Sequence, residues 1–124
     1  MTAASTKDKW TLPDNRADAV ARQLARVLAH PGKREDAVRV LRRADGLFDA
    51  LDQWAKTGVI PSAWHVTTGD AEAATLLYDT VSEELRTHGG VVAARAALGT
   101  AHAEWERLDG LMREGSPLPE PWQR

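Results

Sequence analysis

Residues 33–56, KREDAVRVLRRADGLFDALDQWAK, decide the fold class. Within them Ala37, Leu41, Ala44, Phe48, Leu51 and Ala55 recur at alternating spacings of four and three, which places all six on one side of an α-helix. Val40, Leu47 and Trp54 widen that seam into a stripe broad enough to face a core, so Trp54 is expected inside. Gly58 and Pro61 end the helix.

The same period continues on both sides. Upstream, Ala17, Val20, Ala21, Leu24, Val27 and Leu28 share a face, with Asp14 as the expected N-cap and His30-Pro31-Gly32 as the stop. Downstream, a loop of about a dozen residues leads to Asp70. Ala74, Leu77, Tyr78, Val81 and Leu85 then repeat up to the break at Gly89-Gly90. A last seam of Ala94, Leu98, Ala101, Trp105, Leu108 and Met112 runs to Gly115 and Pro117. Helices are therefore expected near 14–29, 33–56, 70–88 and 91–114, with Leu24, Leu41, Phe48, Leu51, Val81, Leu98, Trp105 and Leu108 buried. No stretch alternates with a strand period, and short turns favour adjacent, oppositely running helices. The expected fold is all-α, an antiparallel four-helix bundle over 14–115, with an N-terminal arm at 1–13 and a Pro-rich tail at 116–124. An offset of 57 pairs Ala17 with Ala74, Leu24 with Val81, Phe48 with Trp105, Leu51 with Leu108 and Gly58 with Gly115. A duplicated helical hairpin would produce this pairing, as would any two amphipathic hairpins of similar length.

The 124 residues are 43% hydrophobic and 27% charged with a formal net charge of −2, which fits an ordinary globular chain and names no partner. With no cysteine, disulfide scaffolds, zinc ribbons, thiolate catalysis and iron–sulfur ligation are excluded. No apolar run approaches the ~20 residues of a membrane helix, and MTAASTKDKW lacks a signal-peptide core, so a cytoplasmic protein without a membrane role is expected. Phosphate-binding loop, serine elbow and zincin motifs are absent from the sequence. His102/Glu106 and Glu84/His88 each share a helix face, but the two pairs do not converge, and Glu83-Glu84 lacks companion carboxylates one turn away. No catalytic residue, metal site or cofactor is expected.

Charge is more informative. Residues 22–43 carry Arg22, Arg26, Lys33, Arg34, Arg39, Arg42 and Arg43 against Glu35 and Asp36, a local net of +5. Residues 61–124 carry five cations and ten carboxylates. Clustered arginines on the outer faces of a hairpin suit sequence-tolerant contacts with nucleic-acid phosphates; a solvated face supported by Asp18/Arg22 and Glu35/Arg39 pairs is the alternative.

Two further features point to protein partners. Opposite the large-residue seam of the fourth helix runs a small-residue line, Val92, Ala96, Gly99, Ala103 and Gly110. A helix apolar on both sides needs a second covering surface, from a larger subunit, another copy, the arm with Trp10 or the loop with Trp64. Of the five tryptophans, Trp105 is expected in the core with Trp54, and Trp10 and Trp64 are expected to fold back over the bundle. In the tail, Pro117, Pro119 and Pro121 favour an extended chain that offers Trp122 to a partner.

Small size, an all-helical pattern, no catalytic signature and a basic segment together resemble the small helical subunits of multi-subunit CRISPR effector complexes. The resemblance is one of general character and carries over no residues. It implies a non-enzymatic accessory subunit of a nucleoprotein assembly that touches nucleic-acid backbone and packs on other subunits. The competing expectation is a protein-interaction bundle, such as a phage structural or regulatory adaptor, with no nucleic-acid role.

Overall fold

The computed structural model describes residues 15–123. Four α-helices, α1 (Arg16–Ala29), α2 (Ala37–Lys56), α3 (Glu72–Leu85) and α4 (Val91–Arg113), are joined by short turns and by the loop at 57–71. Two 3₁₀ turns, Arg34–Asp36 and Glu120–Trp122, precede α2 and close the tail. No strand occurs among the described residues. The expected arm at 1–13, with Trp10, and the expected cap Asp14 lie outside them. Asn15 caps α1 instead: its side chain accepts from the Asp18 N–H at 2.9 Å, and the Asp18 carboxylate accepts from the Asn15 N–H at 3.0 Å.

Helices α1 and α2 pack as one hairpin, α3 and α4 as another, and α2 lies against α4 between them. All eight residues expected in the core are buried, Leu24, Leu51, Val81 and Leu108 completely. The offset of 57 holds along the apolar seams and past their ends. Ala37 and Ala94, Leu41 and Leu98, and Ala44 and Ala101 are buried pairs at that spacing. Helices α2 and α4 also end alike. Gly58 and Gly115 take positive φ values of 93° and 97° just past the last turn. Each donates to the carbonyl three residues back, Ala55 and Met112, while the next N–H, from Val59 and Ser116, reaches Trp54 and Leu111. This is the Schellman arrangement, which needs a left-handed residue and so favours glycine.

Beyond those glycines the chain repeats itself once more, with one extra residue in the second half. Pro61-Ser62-Ala63-Trp64 and Pro119-Glu120-Pro121-Trp122 each form a turn in which the tryptophan N–H donates to the proline carbonyl, at 3.1 and 2.9 Å. Each turn is pinned to the first helix of its own hairpin. The Ser62 N–H reaches Asp18 on α1 at 2.8 Å, and the Glu120 N–H reaches the Thr75 hydroxyl on α3 at 2.9 Å. Each tryptophan then crosses to the other hairpin: Trp64 Nε1 donates to Asp109 Oδ1 on α4, and Trp122 Nε1 to Asp52 Oδ1 on α2, both at 2.7 Å. The aspartates carry their own cations one turn on, Arg113 at 2.9 Å and Lys56 at 3.0 Å. The indoles stack with centroids 5.7 Å apart, and Phe48, Tyr78 and Trp105 complete the aromatic centre.

Two sequence expectations are corrected here. Trp122 is not offered to a partner; it is 1% exposed, because its indole N–H finds a buried carboxylate and its ring a slot against Trp64, Tyr78 and Phe48. Trp54 is 37% exposed, at the rim of the α2 stripe. Asp52, two residues before it, is buried. Burial alone would raise the Asp52 pKa, but hydrogen bonds from Trp122, Tyr78 and Lys56, with the Lys56 charge, outweigh it and hold the carboxyl below the ordinary value. Tyr78, half-buried and donating to that carboxylate at 2.7 Å, has its own pKa pushed well above the ordinary phenol value by desolvation and by that hydrogen bond.

Two outcomes follow for stability. Trp122→Ala is expected to cost about 3–5 kcal/mol in urea unfolding, whereas an exposed anchor would cost less than about 0.5 kcal/mol. Because the Asp52 pKa falls on folding, its contribution is complete above the ordinary carboxylate range and is lost as pH drops through the folded-state value. Acid titration of stability is therefore expected to flatten in Asp52→Asn relative to the wild type; equal acid slopes would contradict the assignment.

Candidate nucleic-acid interface

All seven cations marked in the sequence are exposed: Arg22, Arg26, Lys33, Arg34, Arg39, Arg42 and Arg43. They do not form one patch around a single cleft. Lys33 and Arg34 line a cleft of about 300 Å³ between the α1–α2 turn and the first half of α4, together with Arg95 and His102. Arg42 lines a second, of about 350 Å³, with Arg86, His88 and Asp45 between α2 and the α3–α4 turn. Arg22 sits at a third, with Arg113 and Asp109. Arg26 and Arg43 line none of the three. Arg39 meets Asp36 at 3.3 Å while its side chain stays 72% exposed, the kind of ion pair that contributes little. The expected Asp18/Arg22 support takes another form, since Asp18 is buried and serves Asn15 and Ser62.

The first two clefts are counterparts under the 57-residue offset. Leu28, Gly32, Ala37 and Leu98 in one correspond to Leu85, Gly89, Ala94 and Leu41 in the other. Their lining positions correspond and their charges do not. The first is walled by Lys33, Arg34 and Arg95 with no carboxylate among the described residues that line it, and His102 at its edge meets Glu106 at 3.4 Å. The second sets Asp45 against Arg42 and Arg86. Burial raises the Asp45 pKa and the Arg86 charge works against that rise, with Asp49 adding to it. Arg95 was missed in the sequence because it stands alone on an alanine-rich stretch. The visible signal was its place one turn into α4, facing the turn that carries Lys33 and Arg34.

The cation-walled cleft runs onto the small-residue line of α4, with Gly99 in both. Val92 is 70% exposed, Ala96, Gly99 and Ala103 are exposed, and Gly110 is half-buried. A Cβ built on Gly99 or Gly110 meets nothing within 4 Å, so no described residue covers this line. The loop with Trp64, one candidate cover, turns into the core instead. Among the described residues no group of three or more His, Asp or Glu is placed to hold a metal ion, and no helix is long and apolar enough to cross a membrane.

Comparison of the chain with protein-family models, curated proteins and solved structures finds no match.

Gly99 lies in mid-helix facing open space, so Gly99→Ala is expected to raise stability by about 0.5–1 kcal/mol through helix propensity alone. A loss of stability on thermal unfolding would mean that something packs on this line within the chain.

Proposed function

We propose that the protein is a non-catalytic helical accessory subunit of a nucleoprotein assembly, in the manner of the small subunits of CRISPR effector complexes. It holds nucleic-acid backbone in the cleft walled by Lys33, Arg34 and Arg95. The observation that carries this reading is the difference between the two matching clefts: one fold element is used twice, and only the copy at the α1–α2 turn is lined by cations without a carboxylate. A cleft of one sign focuses the field at its floor, and arginine forks suit phosphate oxygens. The exposed Arg22, Arg26, Arg42 and Arg43 add longer-range positive potential. Such contacts read charge and spacing, not base identity. A larger subunit or another copy packs on Val92, Ala96, Gly99 and Ala103 beside the cleft, in the cytoplasm.

The alternative is a protein-interaction bundle without nucleic acid, favoured by the same uncovered α4 line. Fluorescence anisotropy with a labelled single-stranded oligonucleotide separates the two. Three phosphate contacts predict binding that weakens with salt at a log–log slope of about −2, with little dependence on sequence. Arg34→Glu/Arg95→Glu is expected to abolish that slope while the circular dichroism stays helical. No binding at low salt, or binding unchanged in the double variant, would leave the interaction bundle as the function.

A further inference from the structure

Beside Asp109 the internal repeat lacks a side chain that its counterpart has. Asp52 Oδ1 accepts two hydrogen bonds, from Trp122 Nε1 and from the Tyr78 hydroxyl, both at 2.7 Å. Its counterpart Asp109 is built the same way up to a point. Oδ1 accepts from Trp64 Nε1 at 2.7 Å and Oδ2 from Arg113 at 2.9 Å. The residue matching Tyr78 is Ala21, and among the described residues nothing takes the place of the phenol. A cleft of about 260 Å³ opens there, with Ala21 and Ala25 on one wall and Trp105 and Asp109 on the other. The flanking rings are spaced alike, although Trp105 brings an indole where the other half has the Phe48 phenyl. Phe48 and Trp122, which flank Tyr78, have centroids 6.3 Å apart, and their counterparts Trp105 and Trp64 are also 6.3 Å apart.

We propose that this cleft is a binding site for a para-substituted phenol, whose ring lies over Ala21 against Trp105 and whose hydroxyl donates to Asp109 Oδ1 as Tyr78 does to Asp52. The repeat supplies the argument for the ligand class. The same aspartate, at the same step of the same helix, beside the same indole, receives a phenol in the other half of the molecule. The volume suits a single ring, being below the ~300–1,000 Å³ range typical of pockets for drug-sized molecules. A hydroxyl donating to an ionised carboxylate is among the stronger neutral-donor hydrogen bonds, and it gives the site a reason to prefer a phenol over a plain aromatic ring. The phenol can arrive free or as the tyrosine side chain of another chain. The site shares no residue with the cleft of Lys33, Arg34 and Arg95 and stands independently of it.

The test uses the full chain and follows the Trp64 indole N–H resonance, whose acceptor is Asp109, during titration with p-cresol, toluene and a short peptide carrying one tyrosine between alanines. Saturable shifts with p-cresol, at an affinity at least about tenfold above toluene, are expected. If the peptide also shifts the resonance, the site admits a tyrosine on a chain; if p-cresol alone does so, it takes free phenols. Ala21→Tyr supplies the missing ring from within and is expected to abolish p-cresol binding while the fold is retained. Asp109→Asn is expected to weaken binding about tenfold. Equal responses to p-cresol and toluene, no response to p-cresol, or p-cresol binding that survives Ala21→Tyr would overturn the proposal.

Discussion

The exchange of tryptophans between hairpins holds this molecule together. Neither hairpin can bury its apolar stripe alone, and apolar packing between them is tolerant of sliding, since one greasy seam fits another in several registers. A hydrogen bond to a buried carboxylate has no such tolerance. Asp52 sits in the aromatic centre, where an unpaired charge would be expensive, so Trp122 Nε1, the Tyr78 hydroxyl and Lys56 must all be in place. Asp109 makes the same demand of Trp64 and Arg113. Because each indole donor comes from the segment that follows the other hairpin's last helix, the two demands can be met together only in one register of α2 against α4. The helix ends are part of the same constraint. Gly115 turns the chain so tightly that a Cβ there would stand 2.9 Å from the His65 carbonyl, and that turn sets where Trp122 begins its return.

The period of the apolar residues was enough to read four helices and the buried identity of Leu24, Phe48, Leu51, Trp105 and Leu108, because burial of a helical stripe depends on spacing that a sequence displays directly. Periodicity ranks residues by polarity, however, and so it placed Trp54 inside and gave no notice of Asp52. The structure exposes Trp54 at the rim and buries Asp52, since a carboxylate can occupy the stripe where three donors converge, and two of those donors lie 26 and 70 residues away. Trp122 was misread for a related reason. Three prolines in five residues predict an extended strand in isolation, and the turn at Glu120–Trp122 exists because an acceptor waits on α2 and Thr75 holds the Glu120 N–H. The repeat itself was half legible. Its offset of 57 holds as far as Gly58 and Gly115, and one inserted residue then shifts Trp64 against Trp122, so the matching Pro-x-x-Trp turns fall out of alignment at the point where they carry most meaning.

The candidate interface shows the complementary limit. A running sum of charge found the cationic segment 22–43, because charge density along a chain needs no folding to be seen. It could not divide that segment among separate clefts, and it passed over Arg95, which the fold brings to Lys33 and Arg34 from more than sixty residues away. The decisive quantity was the sign of the lining as a whole. Only the pairing of two equivalent clefts makes the absence of a carboxylate in one of them informative, because the other shows that the same backbone accommodates Asp45.

An internally repeated fold provides its own control. Positions that agree between the halves, such as Gly58 with Gly115 or Asp52 with Asp109, are accounted for by the demands of the shared architecture: a left-handed turn in one case, an acceptor for a crossing indole in the other. Positions that differ are free of those demands, since one half folds with each choice. Ala21 against Tyr78, Arg95 against Val38 and Gly99 against Arg42 are of this second kind, and Ala21, Arg95 and Gly99 line clefts. Stability explains neither an empty place beside a carboxylate nor a glycine facing open space in mid-helix. Both cost the folded state something, the first in lost ring packing and the second in helix propensity. The second cost is met in both halves, since Gly46 in mid-α2 faces open space as Gly99 does in α4, whereas the lost ring packing falls on α1 alone, where Ala21 stands against Tyr78.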